Sequence, residues 1–230
     1  MALKHPPLPL GEGWGGGGAS SLTACTFAGS DEPGAPRVWA LDTSSAHAGP
    51  PEDERQHARA AARAALRRLL AEHLGCAPDD LALSNVRGQA PRLLWQGASR
   101  APGTLAMLHL SVSHAPGLSL LAWCQGATLG VDVQAVPRNA PVPELLHTAA
   151  LYLEPNTALA LAQKAQDASF FEAFTHAWSL HEARLKCLGQ PLAEWSPTLG
   201  RALAPLHAAP LRLPPRAAPQ HAATLAWSPI

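Results

Sequence analysis

The chain has 230 residues, which is long enough to bury the core of one large domain or two small ones. Hydrophobic residues make up 47% and charged residues 15%, a composition that excludes an intrinsically disordered chain. The 17 basic and 17 acidic residues cancel, so bulk charge favours neither a nucleic acid nor a membrane surface as partner. The four cysteines form no paired motif and no apolar run would span a membrane, so we expect a cytoplasmic protein with free thiols.

The first third of the sequence predicts a leader, a strand and a long helix. Residues 1–35 are rich in Pro and Gly without periodicity, which predicts a flexible leader. A strand is predicted over residues 37–41, and an Ala-, Leu- and Arg-rich helix over residues 53–73. Four arginines on this helix recur every four residues: Arg55, Arg59, Arg63 and Arg67. They form either a solvated basic face or an edge that contacts a phosphate, and the sequence leaves both interpretations open.

The remaining predicted elements alternate between strands and helices. In chain order they are strands at 107–114, 118–124 and 128–136, helices at 143–153 and 157–188, and a strand at 222–228. A break is predicted in the second of these helices near Asp167, and Gly189 ends it. Each half of the chain thus contains a strand, a helix and further strands, which predicts an α+β fold.

Polar side chains share faces on two of these strands and on the last long helix. Alternation along the strands places Ser111 and Ser113 on one face, and projects Asp132 and Gln134 together from the face opposite their valine neighbours. On the helix, a glutamate and a lysine at a spacing of four, Glu182 and Lys186, form either an ordinary surface pair or part of a site. Carboxylates for Mg²⁺ and an ammonium for a phosphate are the groups that phosphoryl-type transfer requires.

Three short motifs in a fixed order make this interpretation more specific. They are LSVSH (110–114), GVDVQ (130–134) and WSLHEARLK (178–186). In this order they resemble the motifs of the 4′-phosphopantetheinyl transferases of the long, single-chain (Sfp-like) kind, over residues 37–190. The resemblance implies an enzyme that transfers the 4′-phosphopantetheine arm of coenzyme A to a serine of an apo acyl or peptidyl carrier protein, releasing 3′,5′-ADP.

The resemblance also implies roles for individual residues. Ser113 and His114 match the Ser-His pair that holds coenzyme A phosphates. Asp132 and Glu182 match the carboxylates that bind Mg²⁺. Lys186 matches the lysine that meets the pyrophosphate, and Glu182 is the expected base for the carrier serine. With coenzyme A, Mg²⁺ and these residues, electrostatic stabilisation is the main expected source of catalysis.

Several positions depart from the family pattern. Gln134 stands where the family has a further metal carboxylate, so it offers an amide oxygen without the charge. His181 replaces a lysine, and we expect it to be a half-buried helix residue. Ala90 replaces a phosphate-contacting lysine, a role that Arg87 or Arg92 would then take. These departures leave open the alternative of a degenerate, non-catalytic relative that binds coenzyme A or a carrier protein.

The fold that the resemblance implies is the 4′-phosphopantetheinyl transferase fold. It consists of two similar α+β subdomains related by a pseudo-two-fold axis, here predicted at 36–130 and 131–230. The active site is expected at their interface, and the protein is expected to be a monomer that mimics a dimer. The arginines Arg55 and Arg59 are expected to help hold the 3′-phosphate of coenzyme A.

Overall fold

The structure, a computed structural model, describes residues 21–32, 34–44, 51–86, 88–99 and 101–229, without the side chains of residues 51 and 52. Its strands are β1 (Leu22–Cys25), β2 (Arg37–Asp42), β3 (Leu81–Leu83), β4 (Leu93–Trp95), β5 (Leu108–Ala115), β6 (Leu118–Gln125), β7 (Leu129–Ala135), β8 (His207–Pro210) and β9 (His221–Trp227). Its helices are α1 (Pro51–Leu74), α2 (Val142–Tyr152), α3 (Pro155–Gln163), α4 (Phe170–Cys187) and α5 (Pro197–Leu203). The predicted α+β class is therefore confirmed.

Two antiparallel sheets with the same internal order form the frame of the molecule. The first has the strand order β1-β2-β6-β5 and the second has the order β7-β9-β8, while β3 and β4 form a separate hairpin. In the first sheet β2 is followed by α1, the β3–β4 hairpin, β5 and β6. In the second sheet β7 is followed by helices α2 to α5, β8 and β9. In each case the last strand pairs with the first. The two halves thus repeat one topology, and their relation by a pseudo-two-fold axis stays a prediction.

The largest core lies between the two sheets. Val38 and Leu120 from the first sheet pack with Val131, Val133 and Leu225 from the second. The other face of the first sheet is covered by α1, and the other face of the second sheet is covered by α4. Each sheet is therefore buried on both faces, which explains why most strand residues are apolar rather than alternating.

The two sheets meet where β5 runs beside β7. The hydroxyl of Ser111 accepts a hydrogen bond from the Val131 amide at 3.0 Å, and that of Ser113 accepts one from the Val133 amide at 3.2 Å. The two serine hydroxyls thus satisfy buried backbone amides of β7, which in a continuous sheet would be bonded to the backbone of a neighbouring strand. The predicted shared face of Ser111 and Ser113 is confirmed.

The predicted leader over residues 1–35 requires a correction. Residues 22–25 form β1, which pairs with β2 in antiparallel register, and Cys25 and Phe27 belong to the core between the sheets. Only one residue of this short strand is buried, so its sequence carries no alternation that would have revealed it. Residues 1–20 lie outside the described residues.

Other predicted boundaries also compare directly with the structure. The helix break near Asp167 is confirmed, because α3 ends at Gln163 and α4 begins at Phe170. The predicted subdomain boundary between residues 130 and 131 falls inside β7, since the chain passes from one sheet to the other just before that strand. The sequence did not predict α5 or β8. Within the described residues, no helix is both long and apolar enough to cross a membrane.

Candidate active site

A close approach of α4 to β7 creates the candidate site. A Cβ atom added to Gly130 would collide with the carbonyl oxygen of Ala183 and the amide nitrogen of Cys187, both in the backbone of α4. Only glycine permits this contact between helix and strand. The approach brings Lys186 over Asp132, two residues beyond Gly130 on the strand. Gly130 is the first residue of the motif GVDVQ, but the sequence alone did not show that a glycine is required there by the packing of α4.

Asp132 and Lys186 form an ion pair in which the carboxylate is buried. The Asp132 side chain is 1% exposed, and its Oδ1 atom lies 2.6 Å from the Nζ atom of Lys186, whose side chain is 34% exposed. The Lys186 ammonium also donates to the hydroxyl of Ser113 at 3.1 Å and to the carbonyl oxygen of Val131 at 3.4 Å. All three of its protons therefore have an acceptor inside the protein.

The remaining polar groups around Asp132 hold it from three sides. Ser113 donates its hydroxyl proton to Oδ1 at 2.9 Å, and the Gln134 amide donates to Oδ2 at 2.9 Å. Ser179 on α4 donates to the backbone carbonyl of Asp132 at 3.1 Å. Both carboxylate oxygens are thus bonded, as a buried charge requires. Ser179 was not among the residues predicted from the sequence, since no motif marks it.

Glu182 lies one helical turn before Lys186 and near the same carboxylate. Its Oε2 atom is 3.9 Å from the Lys186 ammonium. Burial and the negative charge of Asp132 raise the pKa of Glu182 to about 7, and they outweigh the opposing effects of Lys186 and of a hydrogen bond to Trp178. Two carboxylates and one ammonium therefore share this site, which leaves Glu182 able to exchange a proton near neutral pH.

His114 and Arg59 extend the site toward α1. His114 is an exposed residue of β5, and its Nδ1 atom lies 2.8 Å from the Ser119 hydroxyl. Desolvation by neighbouring protein atoms and the positive charges of Arg59 and Lys186 lower the pKa of His114 to about 4. At neutral pH this edge of the site therefore carries two positive charges and a neutral imidazole.

The arginine stripe of α1 divides into two parts with different roles. Arg63 donates to the carbonyl oxygens of Ser84 and Leu83, and Arg67 forms a 3.5 Å ion pair with Asp79. These two arginines attach α1 to the segment around β3. The other two, Arg55 and Arg59, are exposed, so the structure leaves them accessible to a ligand.

Arg87 and Arg92 were predicted to replace a lysine missing at position 90, and His181 was predicted to be half-buried. Arg92 is exposed in the β3–β4 hairpin, where its amide donates to the Ser84 hydroxyl, and Arg87 lies outside the described residues.

His181 is 6% exposed and thus more deeply buried than predicted, and its Nε2 atom has no partner within the described part of the chain. Burial and the nearby Arg184 lower the pKa of His181. Trp178 packs against Phe174, with the two ring centroids 6.1 Å apart.

The predicted metal ligands Asp132 and Glu182 offer carboxylate oxygens, which are the ligands that Mg²⁺ takes in proteins. Burial and the negative charge of Asp132 raise the pKa of Glu182, and a divalent cation would offset the second of these two effects. Gln134 directs its amide nitrogen toward Asp132, so only its oxygen would be available for a metal. Within the described residues, this site included, no group of three or more His, Cys, Asp or Glu side chains is arranged for a metal ion.

Comparison with known proteins adds no relative to this description. No model of a protein family matches the chain, and no curated protein matches it.

Proposed function

We propose that the chain is a Mg²⁺-dependent 4′-phosphopantetheinyl transferase. The observation that carries the proposal is the convergence of Asp132, Glu182 and Lys186 at the junction of the two sheets. The Lys186 ammonium lies 2.6 Å from the Asp132 carboxylate and 3.9 Å from that of Glu182, and the Arg59 and His114 edge lies beside them. This set of charges suits a substrate that contains a pyrophosphate and a further phosphate, as coenzyme A does.

The proposed reaction follows from these charges. The serine hydroxyl of an apo carrier protein attacks the β-phosphorus of coenzyme A, the phosphoric anhydride bond breaks, and 3′,5′-ADP leaves. Glu182 accepts the serine proton directly or through water. Lys186 supplies positive charge to the phosphate that leaves. Mg²⁺, held by Asp132 and Glu182 with Gln134 beside them, would neutralise the pyrophosphate when bound.

The proposed setting is a monomer in the cytoplasm. All four cysteines are free, and three of them are buried, which suits a reducing compartment. A membrane or a nucleic acid has no part in the proposed reaction, whose partners are coenzyme A and a carrier protein.

Intact-protein mass spectrometry tests this function. The purified chain is incubated with coenzyme A, Mg²⁺ and a set of apo acyl and peptidyl carrier proteins, and transfer is read as the added mass of the arm. We expect at least one carrier to gain that mass, and we expect Asp132→Ala to abolish the gain. A carrier whose acceptor serine is replaced by alanine serves as the control. Failure to modify any carrier at any Mg²⁺ concentration would contradict the proposal.

A second candidate function is binding without transfer. It is favoured by the bonding of Asp132, whose two oxygens are already bonded to Lys186, Ser113 and Gln134. A non-catalytic relative would bind coenzyme A or a carrier protein in calorimetric titration yet add no mass to any carrier. Restoration of transfer by Gln134→Glu would identify this candidate as the correct one.

A further inference from the structure

The Ser113 hydroxyl bridges the two charges of the site. It is bonded to Asp132 at 2.9 Å, to the Lys186 ammonium at 3.1 Å and to the Val133 amide at 3.2 Å. Two of these three partners, the ammonium and the amide, are only donors. The single proton of the hydroxyl must therefore point at Asp132, and both lone pairs of Ser113 are taken. Ser113 is also 5% exposed, so solvent does not compete for these bonds.

This bonding disagrees with a role for Ser113 in holding a coenzyme A phosphate. A phosphate needs a donor, and the only proton that Ser113 has is already given to Asp132. His114, the next residue, is exposed and therefore remains available to a ligand. We propose that Ser113 is a positioning residue, which sets the Lys186 ammonium against Asp132, and that it does not touch coenzyme A.

Ser111 provides a matched control for this proposal. It is 4% exposed on the same strand, and its hydroxyl accepts a hydrogen bond from the Val131 amide just as Ser113 accepts one from Val133. No bond joins the Ser111 side chain to Asp132 or Lys186 among the described residues. Alanine at either position removes a hydroxyl that satisfies an amide of β7, but only Ser113→Ala removes the link between the two charges.

Amine labelling measures the position of Lys186 without any enzyme activity. The chain has only three lysines, and Lys164 is exposed just after α3, so it serves as an internal reference. The folded protein is treated briefly with an amine-reactive reagent, and labelling of each lysine is quantified by peptide mass spectrometry. We expect Ser113→Ala to raise the labelling rate of Lys186 relative to Lys164 roughly tenfold, the effect of losing one hydrogen bond to a charged group. Ser111→Ala should leave that ratio unchanged.

A kinetic measurement tests the same inference and rests on the proposed transferase function. Ser113→Ala should lower kcat roughly tenfold while KM for coenzyme A changes by less than about twofold, since only the charged pair is disturbed. Ser113→Thr, which keeps the hydroxyl, should recover most of the lost kcat. If Ser113→Ala does not fold, Ser113→Cys replaces it, because a thiol has nearly the same size and is only a weak donor.

The outcomes separate this inference from the proposed function. Equal labelling of Lys186 in Ser111→Ala and Ser113→Ala would overturn it, whether or not the protein transfers anything. Calorimetric binding of coenzyme A that weakens more than about tenfold in Ser113→Ala would also overturn it, because Ser113 would then contact the ligand. An absence of transfer together with the expected labelling would leave the positioning role intact and contradict only the transferase.

Discussion

The Nζ atom of Lys186 lies 2.6 Å from the Oδ1 atom of Asp132, so a helix ammonium neutralises a carboxylate that is buried on a central strand. The ammonium does not merely pair with Glu182 along the helix surface, since that distance is 3.9 Å. A buried ion pair contributes little net stability, because removing its charges from water offsets their attraction. The ion pair instead places charge where the proposed reaction needs it. The cost of breaking the pair can be measured.

Lys186→Met should destabilise the protein by about 3 kcal/mol, because it leaves the Asp132 carboxylate buried without its cation. This value is at the low end for such pairs, since the Lys186 side chain is 34% exposed and solvent screens part of the interaction. Asp132→Asn should cost less, because the remaining ammonium can turn toward water. Denaturant unfolding gives both values, and the double variant should cost less than their sum. Additive effects would show that the pair does not interact.

Glu182 should make the protein less stable as pH rises from about 4.5 to about 7. Its pKa is raised from 4.5 to about 7 in the folded state, so in this interval the folded protein binds more protons than the unfolded chain. The loss amounts to at most about 3 kcal/mol, at 1.36 kcal/mol for each pH unit. Glu182→Gln should therefore be more stable than the unaltered protein above pH 7 and should differ little from it below pH 4.5.

His114 changes the stability of the protein with pH in the opposite direction to Glu182. The effect of Glu182 must therefore be measured by comparing Glu182→Gln with the unaltered protein. Because its pKa falls from 6.5 to about 4 on folding, His114 contributes stability that is lost as pH falls through that interval. The pH curve of the unaltered protein contains both effects. The difference in free energy of unfolding between Glu182→Gln and the unaltered protein, plotted against pH, contains the effect of Glu182. A difference that does not change with pH would contradict the raised pKa of Glu182.

Much of the fold was predictable because its elements carry local signals. The Ala-, Leu- and Arg-rich composition of residues 53–73 predicted α1, and local strand patterns predicted the three consecutive strands β5, β6 and β7. Short elements were missed. The strand β1 has four residues and shows no alternation, so only its pairing with β2 defines it. The helix α5 begins with Ser196 and Pro197, a capping signal that the surrounding prolines concealed.

The site was predictable in its residues more than in their bonding. Alternation predicted that Asp132 and Gln134 share a strand face, and the motif resemblance brought Glu182 and Lys186 to it. The bonds that Ser113 makes could not be predicted, because they depend on how closely β5 and β7 approach each other across two sheets. The same holds for the arginine stripe of α1, where tertiary contacts with β3 decide which residues remain free.

Gly130→Ala should destabilise the protein by about 3 kcal/mol or more and should abolish the ion pair of the site. The added Cβ atom would collide with backbone atoms of α4, which cannot move aside as a flexible side chain can. Thermal or denaturant unfolding measures the loss. Gly103→Ala is the matched control, because nothing lies within 4 Å of its added Cβ atom. Near-normal stability of Gly130→Ala would contradict the close contact between β7 and α4.

Charge reversal at Arg59 should weaken the use of coenzyme A through its 3′-phosphate. The positive charge of Arg59 acts on His114, whereas Arg63 and Arg67 are engaged with the fold. We expect Arg59→Glu to raise KM for coenzyme A roughly tenfold and to raise KM for dephospho-coenzyme A much less, because the latter lacks that phosphate. Arg55→Glu should act in the same direction.

Arg68→Glu supplies the control for this comparison. Arg68 is exposed on the same helix but lies outside the stripe, so its reversal changes net charge equally. It should leave the ratio of the two KM values unchanged. Equal effects of Arg59→Glu on both substrates would remove the arginines from the proposed phosphate site.

Gln134→Glu should lower the Mg²⁺ concentration needed for half-maximal transfer. The Gln134 amide now donates to Asp132, and a carboxylate in its place would lose that bond and add a negative charge beside Asp132 and Glu182. Without Mg²⁺ the variant should be less stable, since three carboxylates would share one ammonium. With Mg²⁺ its melting temperature should rise more than that of the unaltered protein, because binding stabilises the folded state by mass action.

Thermal unfolding and the transfer assay, both titrated with Mg²⁺, measure the two effects. Gln134→Ala is the matched control, because it removes the bond to Asp132 without adding charge. If Gln134→Glu and Gln134→Ala respond to Mg²⁺ alike, position 134 is no ligand, and Asp132 and Glu182 would have to hold the ion with water and substrate oxygens. If only Gln134→Glu shows a greater response to Mg²⁺, the amide at position 134 weakens Mg²⁺ binding in the unaltered protein. The Lys186 ammonium then supplies positive charge to Asp132 when Mg²⁺ is not bound.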